Sequence, residues 1–225
     1  MAIDKRVEAA AEAVADVADG AAVMISGFGG AGFPNVLIRA LRDAGPRDLT
    51  LIVNSATHRY SLTHELIDAG QVRRVVCSAA RGRDADLSPF ERLLKEGRIE
   101  LECMPQGTFS ERIRAGGAGI PAFYTPVGVG TVLAEGRETR EFGGRVHLLE
   151  HAIGADFALI RADRADRFGN LAFRYAQANF SPAMATASRV TIAEVRAFED
   201  SPLPHTEIGL SGAFVRRVVE VGDAR

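Results

Sequence analysis

The chain has 225 residues, 47% of them hydrophobic and 25% charged, which is ordinary globular usage and argues against a disordered or fibrous class. A formal net charge of -2 supplies no overall attraction to nucleic acid or to an anionic membrane, so neither is expected as a partner. No apolar run approaches the ~20 residues of a membrane span, and residues 1–20 lack the pattern of a secretory leader, so a cytoplasmic location is expected.

In chain order, residues 1–20 are alanine-rich with Glu8, Glu12, Asp16 and Asp19, a pattern that predicts an amphipathic helix. AAVMIS (21–26) reads as a buried strand, and NVLIRALRDAG (35–45) as a helix stopped by Gly45-Pro46. LTLIVN (49–54) is a strand, and SLTHELIDAG (61–70) a helix with Ser61 as N-cap and Gly70 as stop. VRRVVC (72–77) is a strand, followed by a helix from Ser88 to Glu96 closed by Gly97. IELECM (99–104) is a strand and SERIRAGG (110–117) a helix. Cys77 and Cys103 each close an apolar run and read as buried strand ends, not as a disulfide framework or zinc ligands.

Four strands alternating with helices predict βαβ units and a mostly parallel sheet. From Gly119 onward the periodicity shortens. TVLAE, RVHLLE, FALIRA, LAFRYA and RVTIAEV read as strands, Gly143-Gly144 as a hairpin turn, and 166–170 as another turn. The expected architecture is one domain over residues 1–225: a βα-alternating part (1–118) and a β-rich part (119–225), in an α/β fold with an open sheet flanked by helices.

Ligands of such sheets lie beyond the carboxyl ends of the strands. Three segments fall at that edge: the loop after Ile25, Asn54 with its successors, and the turn after Met104. The loop GFGGAG (27–32) fits G-x-G-x-x-G between a strand and a helix. Its glycines permit positive φ and close backbone approach, and the helix after Pro34 is expected to aim unpaired N–H groups and its positive dipole end at an anion. A dinucleotide site would need Asp or Glu at the end of the second strand. Asn54 stands there instead, and its amide can donate to a carbonyl or carboxylate. His147-Leu-Leu-Glu150-His151 matches H-x-x-E-H, but on a strand its two histidines lie ~13 Å apart along the chain, so no metal is expected.

Several segments resemble the first, or α, chain of the two-chain 3-oxoacid CoA-transferases. They are Asp19-Gly20-Ala-Ala-Val-Met-Ile-Ser26-Gly27-Phe28-Gly-Gly-Ala-Gly32-Phe-Pro34, PQGTFSERIRAGGAGIPAFYTPVGVGTVLAEG (105–136), ETREF (138–142), ADFALIRADRADRFGNLAFR (155–174), and ANFSPAMATAS with VTIAEV (178–195). The resemblance runs through nearly the whole chain in order and implies a CoA-transferase fold of the kind shared with sugar-phosphate isomerases.

In that family a glutamate attacks a CoA thioester and carries CoA as a glutamyl thioester before a second acid takes it. The glutamate belongs to the second, or β, chain, in a Glu-Asn-Gly context, and this chain contains no such tripeptide. The resemblance therefore implies an α chain without the nucleophile, paired with the β chain that carries the catalytic glutamate in an α2β2 heterotetramer. Its substrates would be an acyl-CoA (succinyl-CoA) and a small acid such as 3-oxoadipate or acetoacetate, with no further cofactor. Gln106 and Asn54 would polarise the reacting carbonyl, while Ser26, Gly27, Phe28, Gly29, Gly30, Ala31 and Gly32 would contact CoA.

Where the family commonly has Asn-Asn-Ala-Gly, this chain reads Asn54-Ser55-Ala56-Thr57 followed by His58-Arg59-Tyr60, and Ser26 replaces a glycine. Segment 78–90 is also private. Arg59, Arg81 and Arg83 are candidates to pair with a dicarboxylate, or are surface charges. Alternative readings are one chain of an acetate- or butyrate-type transferase, a thioester or ring hydrolase of the same fold, a metabolite-binding domain without activity, and a dinucleotide-dependent oxidoreductase.

Overall fold

The computed structural model describes residues 3–57, 60–82 and 86–223. His58, Arg59 and Arg83 lie outside them.

The first half alternates as expected: α1 (Ala10–Ala13), β1 (Ala22–Ile25), α2 (Asn35–Ala44), β2 (Leu49–Val53), α3 (Thr63–Asp68), β3 (Val72–Cys77), α4 (Pro89–Lys95), β4 (Glu100–Cys103) and α5 (Gln106–Gly117). The second half supplies β5 (Ala122–Thr125), β6 (Thr139–Phe142), β7 (Arg145–His151), β8 (Ala155–Asp166), β9 (Leu171–Ala172), α6 (Ser181–Thr186), β10 (Ser188–Glu199) and β11 (Arg217–Glu220). The main sheet runs β11-β10-β8-β1-β2-β3-β4, parallel throughout, with short β9 antiparallel on β8. Strands of the β-rich half thus extend the first sheet, while β5, β7 and β6 form a separate antiparallel sheet.

Side chains alternate across the main sheet and divide the core into two layers. Val23, Ile25, Leu51, Val53 and Val75 pack with Leu37, Ile38, Leu41, Leu66 and Phe90 of α2 to α4. Met24, Ile52 and Val76 face the other way, against Phe109 and Ile113 of α5 and Met184 of α6. Both faces are covered, which is why β1, β2 and β3 read as nearly unbroken apolar runs.

Several elements differ from expectation. Of residues 3–20, only Ala10–Ala13 is α-helical; Arg6 bridges Val218, and the Val7 N–H and Lys5 carbonyl bond Val218 of β11, so residues 5–7 run as an extended segment along that strand. Ser61 is not the cap of α3: its hydroxyl bonds the Thr63 side chain and Leu62 takes the cap position. Helix α5 begins at Gln106, four positions before the predicted start, because Pro105 sets the entry φ and its carbonyl accepts from Phe109. TVLAE is a 3₁₀ turn (Val132–Ala134) capped by the Thr131 hydroxyl, and LAFRYA keeps a strand only over Leu171–Ala172 before Tyr175 adopts φ 52°.

Other local signals hold. Ser88 caps α4 in a reciprocal box with Glu91, which the Ser-x-x-Glu spacing predicts. Gly143 and Gly144 both take positive φ (56° and 78°) and join β6 to β7 as a tight hairpin.

The two cysteines part company. Cys77 and Cys103 are register partners on β3 and β4, but β4 is the sheet's edge strand, so Cys103 is exposed whereas Cys77 is buried. Burial, then the neighbouring Cys103 sulfur, pushes the Cys77 thiol up to about 12. Native protein treated with iodoacetamide at pH 8 is expected to be alkylated at Cys103 alone, as read by peptide mass spectrometry. Equal labelling of Cys77 would mean that the edge opens readily.

Candidate functional site

Because β1, β2, β3 and β4 are parallel neighbours, their carboxyl ends share one edge, and a cleft of about 860 Å³ lies there. Its walls are Phe28 and Gly29 from the loop after β1, Asn54 to Thr57 from the end of β2, Tyr60 and His64 before and within α3, Ala79, Arg81 and Gly82 after β3, and residues 86–91 leading into α4.

The loop after β1 is a closed hairpin. Phe28 and Ala31 exchange both backbone hydrogen bonds at 3.0 Å, with Gly29 (φ 61°) and Gly30 (φ 94°) at the tip. Among the described residues, the Gly29 and Gly30 N–H groups have no acceptor. The base of the turn is pinned from below: the Ser26 hydroxyl donates to the Gly32 carbonyl (2.8 Å), and Asn179 accepts from the Gly27 N–H and donates to the Ala31 carbonyl (3.1 Å). A Cβ on Gly32, already at φ 76°, would stand 2.6 Å from the Gln177 carbonyl, so this glycine is required by both conformation and space. Of the expected CoA contacts, only Phe28 and Gly29 reach the cleft wall; Ser26 is buried and holds the turn from inside.

The amino end of α2 corrects the anion-site expectation. Pro34 sits at the cap position, and the Leu37 N–H donates to Glu194 of β10 (2.9 Å). Glu194 is fully buried and ion-paired with Arg161 of β8 at 2.6 Å. The positive end of this helix is thus satisfied by the protein's own carboxylate and is not aimed at a ligand. Burial pushes the Glu194 carboxyl above its ordinary range, opposed by the α2 N–H groups and by Arg161. Its position inside the apolar strand VTIAEV was the available signal, because a charged residue at a buried strand position needs a partner.

Asn54 and Gln106 come together, but with different roles from those expected. The Gln106 Nε2 donates to Asn54 Oδ1 (3.2 Å), and the Ser78 hydroxyl donates to the same oxygen (3.0 Å). The Asn54 carbonyl accepts from the Ser78 and Ala79 N–H groups, anchoring the end of β2 to the end of β3. With its oxygen held twice, the Asn54 amide is left with Nδ2–H as its free function, on a nearly buried residue of the cleft wall. Gln106 is exposed, stands on the first turn of α5 and is not part of that wall; it orients Asn54.

Carboxylates at the cleft are few. Glu91 accepts from the Gly82 N–H (3.2 Å), the Ser88 N–H (2.9 Å) and the Ser88 hydroxyl (2.8 Å), and the Ser88 bonds above all hold its carboxyl below the usual range. The His64 Nδ1 lies 2.9 Å from the Ser61 carbonyl, so it carries the proton and Nε2 is the bare nitrogen. Away from the cleft, the H-x-x-E-H segment lies on β7, and its Glu150 pairs with Arg137 and Arg112. Among the described residues no group of three or more His, Cys, Asp or Glu is arranged to hold a metal ion, and no helix is long and apolar enough to cross a membrane.

A helix-covered parallel sheet with an amide donor and a glycine hairpin at its carboxyl edge defines an α/β protein that binds a carbonyl- or carboxylate-bearing ligand. The sequence profile of the Coenzyme A transferase family matches residues 7–221. The first of the two chains of a 3-oxoadipate CoA-transferase of Pseudomonas putida is 48% identical over 99% of this chain and 96% of its own length. The corresponding chain of a probable succinyl-CoA:3-ketoacid coenzyme A transferase of Mycobacterium bovis is 42% identical over 97% and 94%. In structure, the chain superposes on an acyl-CoA transferase of Escherichia coli O157:H7 in a thioester complex with CoA, at a TM-score of 0.84 and 24% identity; it is covered over 99% of its length but spans only 48% of that longer chain. The chain belongs to the Coenzyme A transferase family and is one component of a transferase.

Proposed function

We propose that the chain is the α component of a cytoplasmic heteromeric CoA-transferase that moves CoA from succinyl-CoA to a 3-oxoacid, 3-oxoadipate or acetoacetate. The observation that carries this reading is the 48% identity to a 3-oxoadipate CoA-transferase chain, joined to a cleft that offers a held amide donor and no free carboxylate nucleophile among the described residues.

In this reading, Asn54 Nδ2 donates to the oxygen of the thioester carbonyl as negative charge develops there, an interaction that is strong when the donor is fixed in advance. Gln106 and Ser78 fix it. The Phe28–Ala31 hairpin presents the Gly29 and Gly30 N–H groups as donors to CoA or to the acyl group. The nucleophile comes from a partner chain bearing Glu-Asn-Gly, in an α2β2 assembly, and no resident cofactor is required. Exposed Val127, Val129, Val132, Phe142 and Val146, on or beside the second sheet, support a partner that covers them.

The purified chain is expected to transfer no CoA from succinyl-CoA to 3-oxoadipate, and to gain activity when co-produced with a Glu-Asn-Gly partner. Robust exchange by the isolated chain, or hydrolysis without transfer by the pair, would overturn the reading.

A further inference from the structure

Arg81 is, among the described residues, the one lysine or arginine on the cleft wall. Its guanidinium makes a single ion pair, Nη1 to Glu91 Oε1 at 3.2 Å, and the side chain stays 72% exposed. Glu91 is not free to follow a ligand. Both its oxygens accept from Ser88 and Gly82, the Ser88 capping box locks it to α4, and a Cβ on Gly82 would come within 3.0 Å of it. Glu91 therefore acts as a fixed post that holds one edge of the guanidinium and leaves the rest of the fork unpaired among the described residues. A planar fork with parallel N–H donors is the side chain best matched to a carboxylate.

We propose that Arg81, held by Glu91, binds a second carboxylate on the acyl acceptor, so that this site selects an acid with carboxylates at both ends over one with a neutral tail. The inference rests on the transferase reading above. Asn54 serves the reacting carbonyl at the end of β2, and Arg81 stands after β3 on the same wall. A monocarboxylate acceptor leaves the fork in water at no gain, whereas a dicarboxylate adds a charge-assisted pair.

The test uses the chain together with its partner. Arg81→Met keeps the stem and removes the fork; Arg81→Lys restores charge without the fork. Arg81→Met is expected to lower the ratio of kcat/KM for 3-oxoadipate over acetoacetate about 10- to 100-fold through KM, with Arg81→Lys intermediate. A second arm, independent of turnover, titrates adipate and hexanoate into the complex by calorimetry. Arg81→Met should abolish the advantage of adipate over the six-carbon monocarboxylate.

An unchanged acid ratio, a proportional loss on both acids, or no adipate advantage in the native complex would overturn the assignment. A complex that binds adipate through Arg81 yet transfers no CoA would support the site while overturning the transferase reading.

Discussion

Replacing Asn54 by Asp in the assembled enzyme is expected to lower turnover by at least two orders of magnitude while leaving the fold intact. The substitution is nearly isosteric but exchanges the free Nδ2–H for a second acceptor oxygen. Gln106 and Ser78 already donate to Oδ1, so the new carboxylate keeps its partners and the structure is preserved. The reacting carbonyl meets an anion in place of a donor. Loss of one fixed oxyanion donor typically costs ~2.7–4 kcal/mol, or about 10²–10³ in rate, and a negative charge at the same point adds to it.

Asn54→Ala should fall within that range, and Gln106→Ala should lose less, because it loosens the donor without removing it. The measurement is kcat for CoA transfer, with the melting temperature as the control for folding. An Asn54→Asp enzyme that turns over within a factor of three of the parent would return Asn54 to a purely structural role.

The second large effect concerns the pair beneath the glycine hairpin. Arg161→Met is expected to destabilise the chain by about 3–5 kcal/mol near pH 8, since it strands a buried carboxylate, and to lower the melting temperature by ~6–20 °C for a chain of this size. The deficit should depend on pH in a definite direction. Burial raises the Glu194 carboxyl in the folded state above its ordinary 4.5, and Arg161 is one of the groups holding it down. Removing the arginine raises it further.

A raised carboxyl contributes most to stability below its unfolded pKa, where both states are protonated, and that contribution is lost as pH rises through the folded value. Melting temperatures of Arg161→Met and its parent should therefore diverge least below about pH 4.5 and increasingly above it. The double variant Arg161→Met, Glu194→Leu should recover much of the loss, because no buried charge remains. A deficit that shrinks as pH rises would refute the assignment of Glu194 as the stranded charge.

Much of this protein is legible from local pattern. The apolar runs of β1 to β3 announce buried parallel strands because both faces of the sheet are covered. Ser88-x-x-Glu91 and Gly143-Gly144 announce a helix start and a hairpin because the chemistry of each is contained within four residues. The errors fall where a distant segment supplies the partner. Residues 5–7 have a passable helical pattern, yet β11, more than two hundred residues away, takes their backbone hydrogen bonds. Thr131 and Pro105 each redirect a boundary that hydrophobicity alone places elsewhere.

The site divides in the same way. Order along the chain determined that the loop after Ile25, Asn54 and the turn before Gln106 meet at one edge, since parallel strands bring all their carboxyl ends to the same side. It also determined that no Glu-Asn-Gly nucleophile is present. Only the tertiary structure decided what each group is free to do. Glu194 arrives from β10 and consumes the N–H groups of α2 that the local pattern assigned to a ligand. Gln106 turns its amide onto Asn54, so one donor remains where two were expected. Hydrogen-bonding capacity is finite, and which partner uses it depends on contacts between residues far apart in the chain. The spacing of motifs locates a site; the occupancy of its donors is settled by the fold.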